Sequence, residues 1–390
     1  MSKPTFQRWL NECIVGFVNY SEDDLIRLLF KSDIQSIPHG SNLKQAIETT
    51  LNKGSSKLDT DKAILMGFLE EHLTSLTKRL KAFGHTNLAF RNLIKLFQEE
   101  RGYAYINVVK EYAKKLFGEG IKSSNLGEIV NSLRMFISSC QVTRPLPYSQ
   151  VIGLYYALNM AFKTSFRINN LQNFTSLLRI VNNEHSKLPS LDNYPKAQQV
   201  EFKYYEGRFH IYEQELNQAE ECFDFAFRLC DKDSFRNKRL VLRYLIPVRA
   251  YKGIFPTQAL LVKYKLTDLS EVLTSLKQGN IELFNRTLEA NQDKFIKQGI
   301  YIMLESLQLL AYRNLFKRTQ SILKTTHVKL SSFSTVLAVA GVKSISLLDV
   351  ECILVNLINK KWIKGYISSS QKTVVFSKVD PFPKITEISD

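Results

Sequence analysis

The chain has 390 residues, 44% hydrophobic and 23% charged, enough apolar material for two or three cored domains or one elongated repeat array. Its 53 Lys and Arg against 37 Asp and Glu leave a net +16, which points to an acidic partner, either nucleic acid or polypeptide. No apolar run of about 18 residues occurs and the start MSKPTFQRWLNEC lacks the apolar core of a secretory signal, so an intracellular, soluble protein is expected.

The chemistry-bearing residues exclude most enzyme classes. The five cysteines (Cys13, Cys140, Cys222, Cys230, Cys352) are scattered without a Cys-x-x-Cys pair and read as reduced core residues. The six histidines form no His-x-His or His-Glu-x-x-His pair, so neither a metal nor a cofactor is expected. Phe117-Gly-Glu-Gly-Ile-Lys-Ser-Ser124 imitates a phosphate loop but fails, because its second Gly is not followed directly by Lys-Ser/Thr and no strand precedes it. A Gly-x-Ser-x-Gly elbow and the kinase motif set are missing as well, and a non-enzyme is expected.

In chain order, residues 1–145 read as an N-terminal helical region. Phe6 to Asn19 is amphipathic, Ser21 with Asp24 restarts a helix, and Pro38-His-Gly40 and Lys53-Gly-Ser-Ser56 are breaks. Two longer helices follow, about Asp61 to Ala82 and Asn87 to Phe117, split at Phe83-Gly-His85. Arg144-Pro-Leu-Pro147 is the clearest boundary in the first half. Residues 146–325 then repeat helix-turn-helix at roughly 35 to 40 residues, with Ala197 to Leu216 and Gln218 to Cys230 as one pair, a TPR-like (tetratricopeptide-like) pattern. Within it, Tyr244-Leu-Ile-Pro-Val248 predicts a kinked helix, Gly279-Asn280 ends a helix from Leu269 to Gln278, and Phe295 to Leu323 reads as one long helix.

Residues 326–378 carry the tightest order of signals. Ser346 with Asp349 is a capping-box start, and Val350, Ile353, Leu354, Leu357 and Ile358 follow at helical spacing. Trp362 to Ser368 and Thr373 to Ser377 are strand-like around the polar turn Ser369 to Lys372. A capped helix feeding a two-stranded ribbon is the pattern of a winged helix, and residues 379–390 are left as a C-terminal tail. The predicted fold class is therefore an all-α, TPR-like helical-repeat solenoid ending in a winged-helix module with a small β-ribbon. From Tyr301 to Lys378 eleven basic residues stand against three acidic ones, half the net charge on a fifth of the chain.

That concentration selects the candidate site. Lys360, Lys361, Lys364 and Lys372 can neutralise phosphates beside Trp362 and Tyr366, whose rings could stack on bases; Arg236, Lys238 and Arg239, in a polar loop, would extend the basic track. The bland alternative for the lysines is a solvated helix end that complements the macrodipole. Arg313 and Lys317 are candidates for partner contact, and Trp362, Ile367, Val374 and Phe376 join them because a ribbon edge can pair with a like module.

The segments Lys203-Tyr-Tyr-Glu-Gly-Arg208, Gln218-Ala-Glu-Glu221, Tyr244-Leu-Ile-Pro-Val248, Tyr312-Arg-Asn-Leu-Phe-Lys317, Glu351-Cys-Ile-Leu354, Gly365-Tyr-Ile-Ser368 and Pro381-Phe-Pro383 resemble the PCI domain-containing protein two family, which includes the PCI subunit of the TREX-type messenger-RNA export complex and signalosome subunit twelve-like relatives. The likeness is dense from about residue 195 to 383. It implies a PCI module, a nuclear, pore-associated location with possible presence in the cytoplasm, a second PCI-type scaffold partner, a small acidic Dss/Sem-type partner, and a nucleic-acid platform built from adjacent winged helices. A purely structural PCI subunit of a signalosome-, splicing- or proteasome-lid-like assembly is the rival expectation.

Overall fold

The computed structural model describes residues 4–388 apart from 32–33, 35, 55–60, 79–81, 142–148, 173, 184–187 and 343–344. The Arg144-Pro-Leu-Pro147 boundary and the expected division at 145 lie outside the described residues. The chain forms two compact units, 1–205 and 206–390.

The first unit contains α1 (Phe6–Val18), α2 (Glu22–Lys31), α3 (Ser41–Gly54), α4 (Lys62–Thr77), α5 (Ala82–Gln98), α6 (Ile106–Ser123), α7 (Leu126–Ser139), α8 (Leu154–Arg167), α9 (Phe174–Asn182) and the start of α10 (Lys196–Tyr212). Sequence neighbours pack on one another, α4 on α5, α5 on α6 and α7 on α8. This packing ties the residues after 149 to the N-terminal helices, which is why compactness does not follow the change in composition near 145. Aromatic rings fill the interior: Trp9, Phe17, Phe68, Phe90, Phe97, Tyr112 and Phe136 are all fully buried. His72 lies among them, with Nδ1 hydrogen-bonded to the Tyr112 hydroxyl and its ring stacked on Trp9 at 6.0 Å.

Two sequence expectations change here. The first expected helix ends earlier, at Thr77, so that α5 begins at Ala82 and runs through Phe83-Gly-His85, and the second expected helix is broken at a 3-10 turn, Gly102–Tyr105. The reason is backbone crowding: a Cβ at Gly102 would sit 2.2 Å from the Phe97 carbonyl oxygen, so the chain turns where a glycine permits it. Residues 117–123 form the last part of α6, and Ser124 is its left-handed C-cap.

The second unit continues with α11 (Leu216–Leu229), α12 (Phe235–Tyr251), α13 (Gln258–Lys263), α14 (Ser270–Gln278), α15 (Ile281–Ala290), α16 (Gln292–Gln298), α17 (Tyr301–Ser306) and α18 (Gln308–Leu323). Again α11 packs on α12 and α14 on α15. Gly207 lets the paired helices approach, since a Cβ there would meet the Phe223 ring at 3.0 Å. Pro247 lies inside α12, as its segment predicted. The expected long helix 295–323 is three helices. Gly299 adopts φ +71° and the Ile300 N–H donates to Phe295 O at 3.1 Å, so α16 ends in a left-handed cap that redirects the chain.

The C-terminal module comprises β1 (His327–Lys329), α19 (Leu330–Val339), α20 (Leu347–Asn359), β2 (Gly365–Ser368) and β3 (Thr373–Phe376). The sheet is antiparallel in the order β1-β3-β2, with Val328 opposite Val374 and Ile367 also opposite Val374. The ribbon was legible in the sequence; β1, three residues long, was not. Its core joins Phe316 of α18, Val328, Phe333, Val350, Leu354, Leu357, Trp362, Val374 and Phe376. Among the described residues, no helix is long and apolar enough to cross a membrane.

Candidate nucleic-acid and partner interface

The interface grows from the two ends of α20. At its start Ser346 and Asp349 form the expected capping box, the Asp349 N–H donating to Ser346 Oγ at 3.1 Å and the Ser346 N–H to Asp349 Oδ2 at 2.9 Å. At its end Lys361 takes φ +57°, its N–H donates to Ile358 O at 2.9 Å, and the Trp362 N–H reaches back to Leu357 O at 2.9 Å. These two bonds make a Schellman cap with a lysine at the left-handed position, and such caps bury the residue that follows against the last turn. Trp362 is that residue. It is 4% exposed, and its ring meets Tyr251 edge-on at 5.2 Å.

The cap therefore separates residues the sequence had grouped. Lys360, Lys361 and Lys364 are exposed, whereas Trp362 is interior and offers no face to a base, so its assignment as a stacking ring is corrected. Lys360 Nζ donates to the Tyr251 hydroxyl at 2.9 Å and lies over the Tyr251 and Trp362 rings. Lys364 Nζ is 3.8 Å from Asp380 and Lys372 Nζ 3.7 Å from Glu351; both pairs are solvent-exposed on the lysine side and contribute little stability. Tyr366, on the edge strand β2, is 62% exposed and remains available for stacking.

Burial also reassigns the partner set. Val374 and Phe376 are core residues of β3, and Arg313 is 6% exposed. The Arg313 guanidinium donates Nε to Trp362 O at 3.2 Å and Nη2 to Pro383 O at 2.6 Å, with its plane over the Phe382 ring. Burial pulls its pKa below the usual arginine value, although it keeps its charge. Arg313 is thus a latch between α18, the helix cap and the C-terminal tail. Lys317 is exposed and Ile367 half-buried on the edge strand, so these two stay accessible to a partner.

A surface the sequence reading passed over lies on α20 itself. Leu347, Leu348 and Val355 are exposed, at 43%, 68% and 52%, and Cys352 between them is exposed too, contrary to its expected core position. No Lys or Arg occurs within α20, whose only charges are Asp349 and Glu351. The signal was present as a helix apolar on nearly every side.

The remaining predicted contacts sit on α12. Arg236 is exposed, Lys238 half-buried with Nζ 5.3 Å from the Phe227 ring centre, and Arg239 half-buried with Nε lacking a hydrogen-bond partner among the described residues. Near the α12 end, a cleft of about 820 Å³ is bounded by Gln214, Glu215, the start of α11, Lys252, Lys360, Trp362 and the tail residues Ile385 and Ile388. Metal-donor side chains do meet once among the described residues, at Glu206, His210 and Cys222. Cys222 Sγ donates to Glu206 at 3.3 Å, while His210 Nδ1 pairs at 2.7 Å with Glu215, outside the cluster.

Comparison with known proteins agrees with the C-terminal fold. The PCI domain model matches residues 288–378, the segment from α15 through the winged helix. PCI domain-containing protein 2 of Danio rerio is 39% identical over 237 residues, covering 61% of this chain and 58% of the relative. PCI domain-containing protein 2 of Xenopus laevis is 37% identical over 236 residues, 60% of this chain and 58% of the relative. Protein CSN12 homolog of Neurospora crassa is 31% identical over 282 residues, covering 68% of this chain and 62% of the relative. The chain thus spans less than two thirds of the length of these curated relatives. Its helical repeats end in a PCI domain, and the chain matches the PCI domain-containing protein 2 family.

Proposed function

We propose that the chain is a non-enzymatic PCI subunit of a nuclear messenger-RNA export complex, in which it pairs with a second PCI-type scaffold and a small acidic partner while its winged helix contacts RNA or DNA. The observation that carries the reading is the set of exposed cations at the α20 cap and ribbon, Lys360, Lys361, Lys364 and Lys372, beside the exposed Tyr366. Cations and a ring in this arrangement favour salt-sensitive, nearly sequence-blind binding to a single strand. The cation-free α20 argues against insertion of that helix into a DNA groove, where phosphates flank every approach.

The same α20 supports a second reading, a structural PCI subunit of a signalosome-, splicing- or proteasome-lid-like assembly that binds only protein. Its exposed leucines and valine suit a protein surface better than a phosphate backbone. Fluorescence anisotropy with single-stranded RNA, for the chain alone and with its PCI partner, decides between the two. Replacing all four lysines by Glu is expected to weaken binding strongly and to reduce the slope of log affinity against log salt by about 0.7 per lost contact. Unchanged affinity with an intact complex would leave the structural reading standing.

A further inference from the structure

The aromatic rings of the helical repeat include one stack that ends at the surface. Phe227 of α11 meets Tyr264, the C-cap of α13, edge-on at 6.2 Å. Phe235, the first residue of α12, lies nearly parallel to Tyr264, 5.2 Å away at 16°. Tyr264 is 7% exposed, while Phe235 is 38% exposed, so the outermost residue of the stack is open to solvent and rests on a buried ring. Cations surround the stack. Lys238 Nζ is 5.3 Å from the Phe227 ring centre and Lys263 Nζ 5.5 Å from that of Tyr264. Arg236 and Lys265 are exposed next to Phe235 and Tyr264 in the chain. Four acidic residues lie close in sequence: Asp224 pairs with Arg228 and Arg249, Asp268 with Lys294 at 3.0 Å, and in the turn before Phe235 Asp231 Oδ1 accepts the Asp233 N–H at 2.8 Å.

A half-exposed ring on a rigid backing, bordered by flexible cations, is matched to a ligand that is planar, π-rich and anionic at once. A nucleotide in a single strand has that chemistry: its base extends the Phe235–Tyr264 stack and its phosphates reach the cations. An acidic peptide satisfies the cations but leaves the ring face unused. We propose that Phe235, backed by Tyr264 and flanked by Arg236, Lys238, Lys263 and Lys265, is a base-stacking platform for single-stranded nucleic acid, separate from the winged-helix lysines. It deepens the nucleic-acid reading above by adding a second contact on the helical repeat, but does not depend on the wing.

The test is anisotropy of a labelled oligo-uridine of about 12 nucleotides, within the range one platform and its neighbours occupy, with the full chain and three variants of it. Phe235→Leu keeps the apolar contact with Tyr264 and removes the π face; it is expected to weaken binding about tenfold with an unchanged salt slope, as for the loss of one base–aromatic stack. Phe235→Trp is expected to restore or exceed the original affinity. Arg236→Gln is expected to lower the salt slope by about 0.7, one phosphate contact. Equal affinity for the parent chain and the Phe235→Leu and Phe235→Trp variants would overturn the platform, whatever the four-lysine variant does at the wing. A Phe235-dependent loss that persists in the four-lysine variant would support the platform while rejecting the wing. Phe235-dependent capture of a labelled polyglutamate peptide, without oligo-uridine binding, would also overturn it and assign the patch to a protein.

Discussion

The Trp362 N–H donates to Leu357 O at 2.9 Å, and this one backbone bond turns the indole inward at the point where the sequence suggests an outward ring. The turn requires Lys361 to occupy the left-handed region, φ +57°. A side chain with a Cβ is strained there by about 1 kcal/mol, and glycine is not. Lys361→Gly is therefore expected to raise stability by about 0.5–1 kcal/mol in urea unfolding, even as it removes a candidate phosphate contact.

Burial predicts opposite outcomes for the two aromatic candidates. Trp362→Ala opens a cavity in the winged-helix core and is expected to cost about 3–5 kcal/mol. Tyr366→Ala, at a 62% exposed edge position, is expected to stay within about 0.5 kcal/mol of the parent while weakening RNA binding. Equal destabilisation of the two would refute the placement of Trp362.

Arg313 links the cap to the tail through the Trp362 and Pro383 carbonyls. Arg313→Met leaves both buried acceptors unpaired, so a loss of about 2–4 kcal/mol is expected, together with faster proteolysis after Pro381. Arg313→Lys is expected to recover little, because one ammonium cannot reproduce the forked geometry that serves two carbonyls. Limited proteolysis read by mass spectrometry measures the tail directly.

In the first unit, His72 is fully buried, and burial first, then the charge of Lys115, holds its pKa well below the usual histidine value. The unfolded chain takes up a proton near pH 6.5 that the folded chain refuses. Stability is therefore complete above about pH 6.5 and falls as pH drops toward the folded value, by up to about 1.4 kcal/mol per pH unit for this one proton. His72→Gln, which retains a partner for the Tyr112 hydroxyl, is expected to flatten this dependence between about pH 6.5 and 5 in equilibrium unfolding.

Leu348 and Val355 are expected to matter to assembly rather than to folding. Each is more than half exposed, so Leu348→Glu with Val355→Glu should change stability by no more than about 0.5 kcal/mol per site. Co-purification with the second PCI chain is expected to be lost and oligo-uridine binding retained. Retained pairing would move the interface to the β2 edge, where Ile367 lies.

How much of this was legible follows from the range of the interactions involved. The capping box at Ser346 and Asp349, the ribbon, the helix pair around Gly207 and the Pro247 position rest on contacts within one element or between neighbouring elements of the chain, and each was read from the chain. The three-way split of the expected 295–323 helix was missed because helical periodicity continues across Gly299, and only the cap hydrogen bonds reveal the turn. The third strand was missed because three residues, His327 to Lys329, carry almost no pattern; pairing with β3 makes them a strand.

By itself the sequence determined the helical class, the winged-helix order of elements, the family resemblance and the concentration of positive charge, since all of these are properties of composition and local spacing. The tertiary structure decided which members of each cluster face water. Trp362 and Lys361 are adjacent, yet one is 4% exposed and the other lies outside, because a left-handed cap rotates successive side chains to opposite sides. Arg313 and Lys317 share a helix and a charge, but only Arg313 has two carbonyls brought to it, from residues 49 and 70 positions away. Phe235 and Tyr264, far apart in the chain, become a single stack only when α12 and α13 fold together, a juxtaposition that no local pattern encodes.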